Sequence, residues 1–245
     1  MTDLHLGEHI SRRFNEELED VRSKVLHMGG IVEEQLANAL KVLVNDESGL
    51  AREVMDADAI VNSLEVEIDE ECTRIVALRQ PAATDLRLIM TVSKTTNELE
   101  RMGDEAKRVA KMSRKEMEGV LNDDVRAELT HMGDLVREML RQVLDAFART
   151  DVDTAVLVVK MDRKVDKKYK KITKQLIKLM IDDPDSIPAV MKIMWAVRSL
   201  ERLGDRCQNI AEHTIYMVLG TDVRHIKLDD VLAEIEAQLG PEDSE

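Results

Sequence analysis

Aromatic side chains are nearly absent from this chain, which has two Phe, two Tyr and one Trp in 245 residues. Sheets draw on aromatic and β-branched residues to cover their pleated faces, so this scarcity argues against a β fold. Proline occurs four times and glycine ten times, so little interrupts long helical runs. Two cysteines, Cys72 and Cys207, lie far apart and in no CxxC motif. That usage is expected of a reduced, cytoplasmic protein with buried thiols. No apolar run approaches the roughly 18 residues a membrane span needs. The opening "MTDLHLGEHISRRF" lacks the apolar core of a signal peptide.

Charge is abundant. Asp, Glu, Lys and Arg make up 34% of the chain, and the net charge is -14. An anionic surface repels a phosphate backbone, so nucleic acid is not an expected partner. The same acidity favours cations, or a basic patch on another protein. Fourteen methionines suit the irregular gaps between packed helices.

The sequence repeats itself. "HMGG" at His27–Gly30 returns as "HMGD" at His131–Asp134, and "ADAIVN" at Ala57–Asn62 aligns with "MDRKVD" at Met161–Asp166, both at an offset of 104. Glu100–Asp104 matches Glu201–Asp205 at an offset of 101. The change of offset falls near "RQPAATD" and "IDDPDSIP", which read as loops of unequal length. Any one match is also what two amphipathic helices share; several in the same order indicate a tandem repeat. Helices are expected near 10–45, 49–79 and 83–117, then near 122–149, 152–182 and 187–219. The expected fold is therefore all-α, two three-helix bundles in tandem, with repeats at 1–118 and 119–221. A tail follows at 222–245, with a short helix about Leu228–Leu239.

Each repeat carries paired oxygen ligands. At 100° per residue, Leu99, Met102, Ala106, Val109 and Ala110 form an apolar stripe, with Glu100 and Asp104 together on a flanking face. Glu201 and Asp205 flank Leu200, Leu203, Cys207 and Ile210 in the same way. On the second helices, Asp58 and Asn62 in one repeat correspond to Asp162 and Asp166 in the other. Side by side, these helices assemble three or four carboxylates with little positive charge built in, a costly arrangement unless solvated, protonated or occupied by a cation. Oxygen donors suit Mg²⁺ or Mn²⁺ and also accept iron. Gly103 and Gly204 border the core stripe, where a missing side chain lets a neighbouring helix approach. Each costs about 1 kcal/mol against alanine in a helix. Arg101 and Arg202 offer neutralising partners for adjacent acids. Spacing alone leaves a solvated face and a metal site both open.

Other chemistry is sparse. There is no GxxxxGK[ST] loop, no GxSxG and no HExxH, so no enzyme is expected. A ferritin-like di-metal site needs two Glu-x-x-His motifs. This chain has one, Glu128–His131, and its counterpart begins with Lys24. A carboxylate-bridged di-metal protein with a redox or metal-storage role remains the alternative function. The basic run Lys164–Lys178, "KVDKKYKKITKQLIK", reads as a solvated helix face, or as a dock for an acidic partner or an anionic membrane surface.

"LERMGDEAKRVAK", "RSLERLGDRCQNIAEHTIYMVLGTDVRH" and "RQPAATDLRLIMTVSKTTNELER" resemble the PhoU family, accessory regulators of bacterial phosphate uptake. The resemblance runs across nearly the whole chain. It implies two three-helix bundles with pseudo-two-fold symmetry, and metal ions held by E/D-x-x-x-D motifs. Matched residue by residue, the implied ligands are Asp58, Glu100, Asp104, Asp162, Asp166, Glu201 and Asp205. Asn62 departs from the pattern with an amide, which makes the two sets unequal. The implied metal is a divalent or trivalent ion, Mg, Mn, Fe or Zn. The implied role is a negative regulator of the phosphate-starvation response, an adaptor between the phosphate ABC transporter's ATPase subunit and a phosphate-sensing histidine kinase. A homodimer, peripheral to the membrane through its partners, is expected.

Overall fold

The structure is a computed structural model that describes residues 12–45, 47, 49–112 and 122–224. The described residues form six long helices: α1 (Arg12–Asn45), α2 (Leu50–Arg79), α3 (Ala83–Ala110), α4 (Asp123–Arg149), α5 (Val152–Asp182) and α6 (Ile187–Leu219). A single 3₁₀ turn, Pro184–Ser186, precedes α6. The described residues contain no strand.

The helix ends follow from local chemistry. Asn122 accepts the Val125 N–H at 2.9 Å, and Asp151 accepts the Thr154 N–H at 3.0 Å. Such N-caps satisfy otherwise orphaned amides and are worth about 1 kcal/mol each. Left-handed residues close α2 at Gln80, α4 at Thr150 and α6 at Gly220. The expected spans agree within two residues, except that α3 ends at Ala110. The rest of the expected 83–117 span, from residue 113, lies outside the described residues, as do the expected 118/119 boundary and the Leu228–Leu239 helix.

The apolar stripes read from periodicity form the core. Leu99, Met102, Ala106, Val109 and Ala110 of α3 are buried, as are Leu200, Leu203, Cys207 and Ile210 of α6. Helices α1, α2 and α3 pack on one another, and so do α4, α5 and α6. The two bundles join where α3 lies on α6 and α1 on α4.

Across the α3–α6 contact the helices run antiparallel. Arg87 Nε donates to the Met217 carbonyl at 3.3 Å, and Arg206 Nη1 to Glu98 at 2.8 Å. Further along, Arg202 Nη1 donates to Glu105 at 3.1 Å. The α1–α4 contact reveals the pseudo-two-fold. The Arg22 guanidinium donates to the Ala148 carbonyl, and Arg126 Nη1 donates to the Val44 carbonyl at 3.1 Å. An offset of 104 carries one pair onto the other. Using the same patch twice is the mark of an isologous, two-fold interface.

Candidate metal centre

Helices α2 and α3 bring Asp58, Glu100 and Asp104 together in the first bundle. Helices α5 and α6 bring Asp162, Asp166, Glu201 and Asp205 together in the second. The flanking position read from the sequence holds for Asn62 and Asp205, which are exposed, and for Asp104, which is half-buried. It needs correction for three acids: Asp58, Asp162 and Glu201 are only 7–8% exposed. They sit at the edge of the apolar stripe, where neighbouring helices close over them.

Glycine explains part of that depth. A Cβ on Gly204 would stand 3.1 Å from Asp162 Oδ1 and 3.2 Å from Val165 Cγ1. The missing side chain is what lets the α5 carboxylate approach α6. Gly103 does not repeat this contact. Its nearest neighbours would be Gln35 Oε1 at 3.0 Å and Val61 Cγ1 at 3.5 Å, so α1 supplies an amide where α5 supplies an acid.

The electrostatics of the two sets differ. In the second, burial pushes Asp162 up to about 7, with Asp205, Asp166 and Glu201 adding like charge. Burial also raises Glu201 and Asp205, each opposed in part by the Arg198 charge. Among the described residues no Lys or Arg nitrogen lies within 4.0 Å of Asp162, Asp166 or Asp205. Of the four acids Arg198 pairs with Glu201 alone, and Glu201 Oε2 is buried with no hydrogen-bond partner among the described residues.

In the first set an ammonium stands inside the cluster. Lys107 Nζ lies 2.6 Å from Asp58 Oδ2 and 2.7 Å from Asp104 Oδ1. Burial pulls the Lys107 ammonium down, but the hydrogen bonds to Asp104 and Asp58 outweigh it and hold it above the usual lysine range. Glu100 is raised by burial, then by the charges of Glu65, Asp104 and Asp58. The expectation of little built-in positive charge therefore fails here, because the lysine stem is long enough to bridge α3 to α2.

Among the described residues, no three His, Cys, Asp or Glu side chains are grouped closely enough to hold a metal ion. The carboxylates are neighbours without converging. By donor chemistry the second set fits a hard cation: four carboxylates and one orphaned buried oxygen. The first does not, since the Lys107 ammonium already stands between Asp58 and Asp104 and repels a cation. Glu100, Asp104 and Asp205 line one cleft of about 500 Å³ with Arg202 and Arg206, so both sets open toward the same α3–α6 seam.

Sequence reasoning missed three participants. Lys107 follows Asp104 at i+3, and Arg198 precedes Glu201 by three, spacings that place charges side by side on a helix. Glu65 has no such signal: its counterpart at an offset of 104 is Tyr169, so a search for duplicated acids passes over it. Arg202, expected beside its neighbouring acids, instead crosses to Glu105 of α3. The lone Glu-x-x-His is occupied otherwise. Lys168 and Lys171 of the basic run hold Glu128 at 2.7 and 2.6 Å and, through these hydrogen bonds, push it down to about 2, while His131 is exposed.

The chain's likeness to known proteins is extensive. A family model described as the PhoU domain matches residues 25–113 and again 129–214. A phosphate-specific transport system accessory protein PhoU homolog of Pseudomonas aeruginosa is 48% identical over 235 residues, 96% of this chain and 97% of that protein. The phosphate-specific transport system accessory protein PhoU of Escherichia coli is 45% identical over 236 residues, 95% of this chain and 98% of that one. The crystal structure of PhoU from P. aeruginosa superimposes with a TM-score of 0.81 at 48% identity, covering 85% of this chain and all of that one. That of the phosphate transport system regulatory protein PhoU from Streptococcus pneumoniae gives 0.79 at 29% identity, covering 86% of this chain and 99% of that one. Matched in both halves and aligned with these relatives over nearly its whole length, the chain belongs to the PhoU family.

Proposed function

We propose that this chain regulates phosphate transport as a negative regulator of the phosphate-starvation response. In this reading it is an adaptor between the ATPase subunit of a phosphate ABC transporter and a phosphate-sensing histidine kinase. One observation carries it: near-complete alignment, at 48% identity, with a phosphate-specific transport system accessory protein homolog. The absence among the described residues of a helix long and apolar enough to cross a membrane agrees with attachment through partners. Deleting the gene should leave phosphate-responsive genes expressed in high phosphate. A tagged chain from phosphate-replete cells should bring down the ATPase and the kinase. Persisting repression on deletion would reject the adaptor. A homodimer belongs to the same reading, and light scattering of the purified chain tests it.

The reading includes a metal ion at Asp162, Asp166, Glu201 and Asp205. Burial and mutual repulsion of these acids support it, since a cation would relieve both. Titrating Mn²⁺, Mg²⁺, iron or Zn²⁺ into chelator-stripped protein tests it. Equal binding by wild type and a variant with all four residues changed to alanine would remove the site.

A further inference from the structure

The two carboxylate sets share a pattern but differ in where the positive charge stands. Asp58 and Asp162 stand at the same place on α2 and α5, and each is buried. Each set also keeps one buried carboxylate oxygen without a hydrogen-bond partner, Asp58 Oδ1 in the first and Glu201 Oε2 in the second. The orphaned oxygen therefore does not distinguish them. The residue at Lys107 does. Its counterpart at an offset of 101 is Gln208, whose amide turns along α6 to donate to Glu212 at 2.8 Å. Lys107 instead turns toward α2 and joins Asp58 to Asp104, a tie between two helices of the kind a bridging metal ion provides. With Glu65 beside Glu100, the first set holds four carboxylates and an ammonium shared by Asp58 and Asp104; the second holds four carboxylates, with Arg198 paired to Glu201.

We propose that Lys107 is the resident cation of the first bundle: its ammonium ties α2 to α3 and excludes divalent ions, leaving metal to the second bundle alone. The comparison between bundles rests on the metal reading of Asp162, Asp166, Glu201 and Asp205; the exclusion rests on the first bundle's own geometry. A divalent ion entering beside Asp58 and Asp104 meets a positive charge already within hydrogen-bond distance of both. Displacing it means pulling a lysine only 23% exposed out of a two-point ion pair. Asn62 contributes no charge toward that exchange.

The test counts Mn²⁺ bound per chain by equilibrium dialysis with elemental analysis, and follows thermal unfolding with and without the ion. Lys107→Met keeps the stem and removes the charge; Lys107→Gln keeps a donor, and stands in if the methionine variant does not fold; Lys107→Arg keeps the charge. The neutral variants are expected to bind about one ion more than wild type, and adding Glu100→Gln should abolish that extra ion. They should unfold at lower temperature in chelator and recover with Mn²⁺, while Lys107→Arg behaves as wild type in both measurements. If the neutral variants bind no more than wild type, or if Glu100→Gln alone removes an ion from wild type, the exclusion is wrong. The two readings fail separately. Wild type binding none while Lys107→Met binds one would reject the second-bundle site and keep this proposal. Wild type losing its ion on Asp166→Asn/Glu201→Gln, with no gain in Lys107→Met, would do the reverse.

Discussion

Gly29 of α1 and Leu144 of α4 meet so closely that a Cβ on the glycine would fall 2.5 Å from Leu144 Cδ2. Gly133 of α4 meets Leu40 of α1 at the same 2.5 Å. The offset of 104 that relates the glycines also relates the leucines. The repeated "HMG" peptides are therefore not two copies of an isolated feature. They are two halves of one contact, each glycine making room for the leucine of the opposite bundle. With the Arg22 and Arg126 pairs beyond them, they join α1 to α4 by the same chemistry twice.

That reciprocity makes a prediction about coupling. Gly29→Ala gains about 1 kcal/mol of helix propensity. It also drives a methyl group into the Leu144 isopropyl group, and overpacking of this kind costs roughly 1–3 kcal/mol. The net effect expected in urea unfolding is a loss. In a Leu144→Ala background the clash is gone and the same substitution should stabilise. Gly133→Ala with Leu40→Ala should give a coupling energy of the same sign and of similar size, about 1–2 kcal/mol. A Gly29→Ala protein more stable than wild type would show that Leu144 yields freely.

How much of this was legible in the sequence follows from what periodicity can carry. Apolar stripes at helical spacing set the face that each helix buries, so Leu99, Met102 and Ala106 were readable as core. Duplication made the acid pairs visible, since Glu100/Asp104 and Glu201/Asp205 repeat. What could not be read was which long side chain bends toward a neighbouring helix. Lys107 and Gln208 occupy equivalent positions, and only tertiary packing sends one to Asp58 and the other to Glu212. Depth was also misjudged. A helical wheel places Asp58 and Asp162 on a flank, but it contains no third helix to cover them.

The Asp85-Leu86-Arg87 stretch, part of the family resemblance, has a structural task that mutagenesis can check. Arg87 donates to the Met217 carbonyl at 3.3 Å, and its guanidinium lies 3.5 Å from where a Cβ on Gly220 would be. It thus covers the C-terminal end of α6, where unpaired carbonyls and the helix dipole favour a cation. Arg87→Ala should cost about 1 kcal/mol and lower the melting temperature by roughly 2–4 °C for a chain of this length. Arg87→Lys keeps the charge but not the forked donors and should recover part of the loss. An unchanged melting temperature for Arg87→Ala would remove the latch.

Neither thiol is disposed to react. Cys72 and Cys207 are buried and free. Burial pushes Cys72 up to about 12 and Cys207 higher still, with nearby acids adding to both. Since the thiolate is the nucleophile, a rise of three units leaves about a thousandfold less of it at neutral pH. A chromogenic disulfide reagent should label native protein only at the rate of unfolding, and both cysteines at once in denaturant. Prompt labelling of either thiol in native protein would contradict its burial.

The buried His213 makes stability depend on acidity with a definite sign. The residue is 7% exposed, its Nδ1 has no hydrogen-bond partner among the described residues, and Thr91 Oγ1 of α3 donates to its carbonyl at 3.4 Å. Burial first, then the charges of Lys94 and Arg224, lower the imidazole from 6.5 to about 4, with Asp222 opposing. Between those values the unfolded chain binds a proton that the folded chain refuses. The stabilisation is complete above pH 6.5 and is lost as pH falls toward 4. At 1.36 kcal/mol per unit, the window is worth about 2–3 kcal/mol by pH 4.5. Asp162 titrates the other way, since its folded value is raised to about 7. The raw stability curve therefore mixes two opposite slopes, and the informative quantity is a difference. Urea unfolding of wild type and His213→Gln between pH 7.5 and 4.5 cancels the Asp162 contribution. The stability advantage of wild type should shrink by about 2–3 kcal/mol as pH falls, or an existing disadvantage should grow by as much. Parallel curves would mean that the imidazole takes up its proton in the folded protein despite its burial.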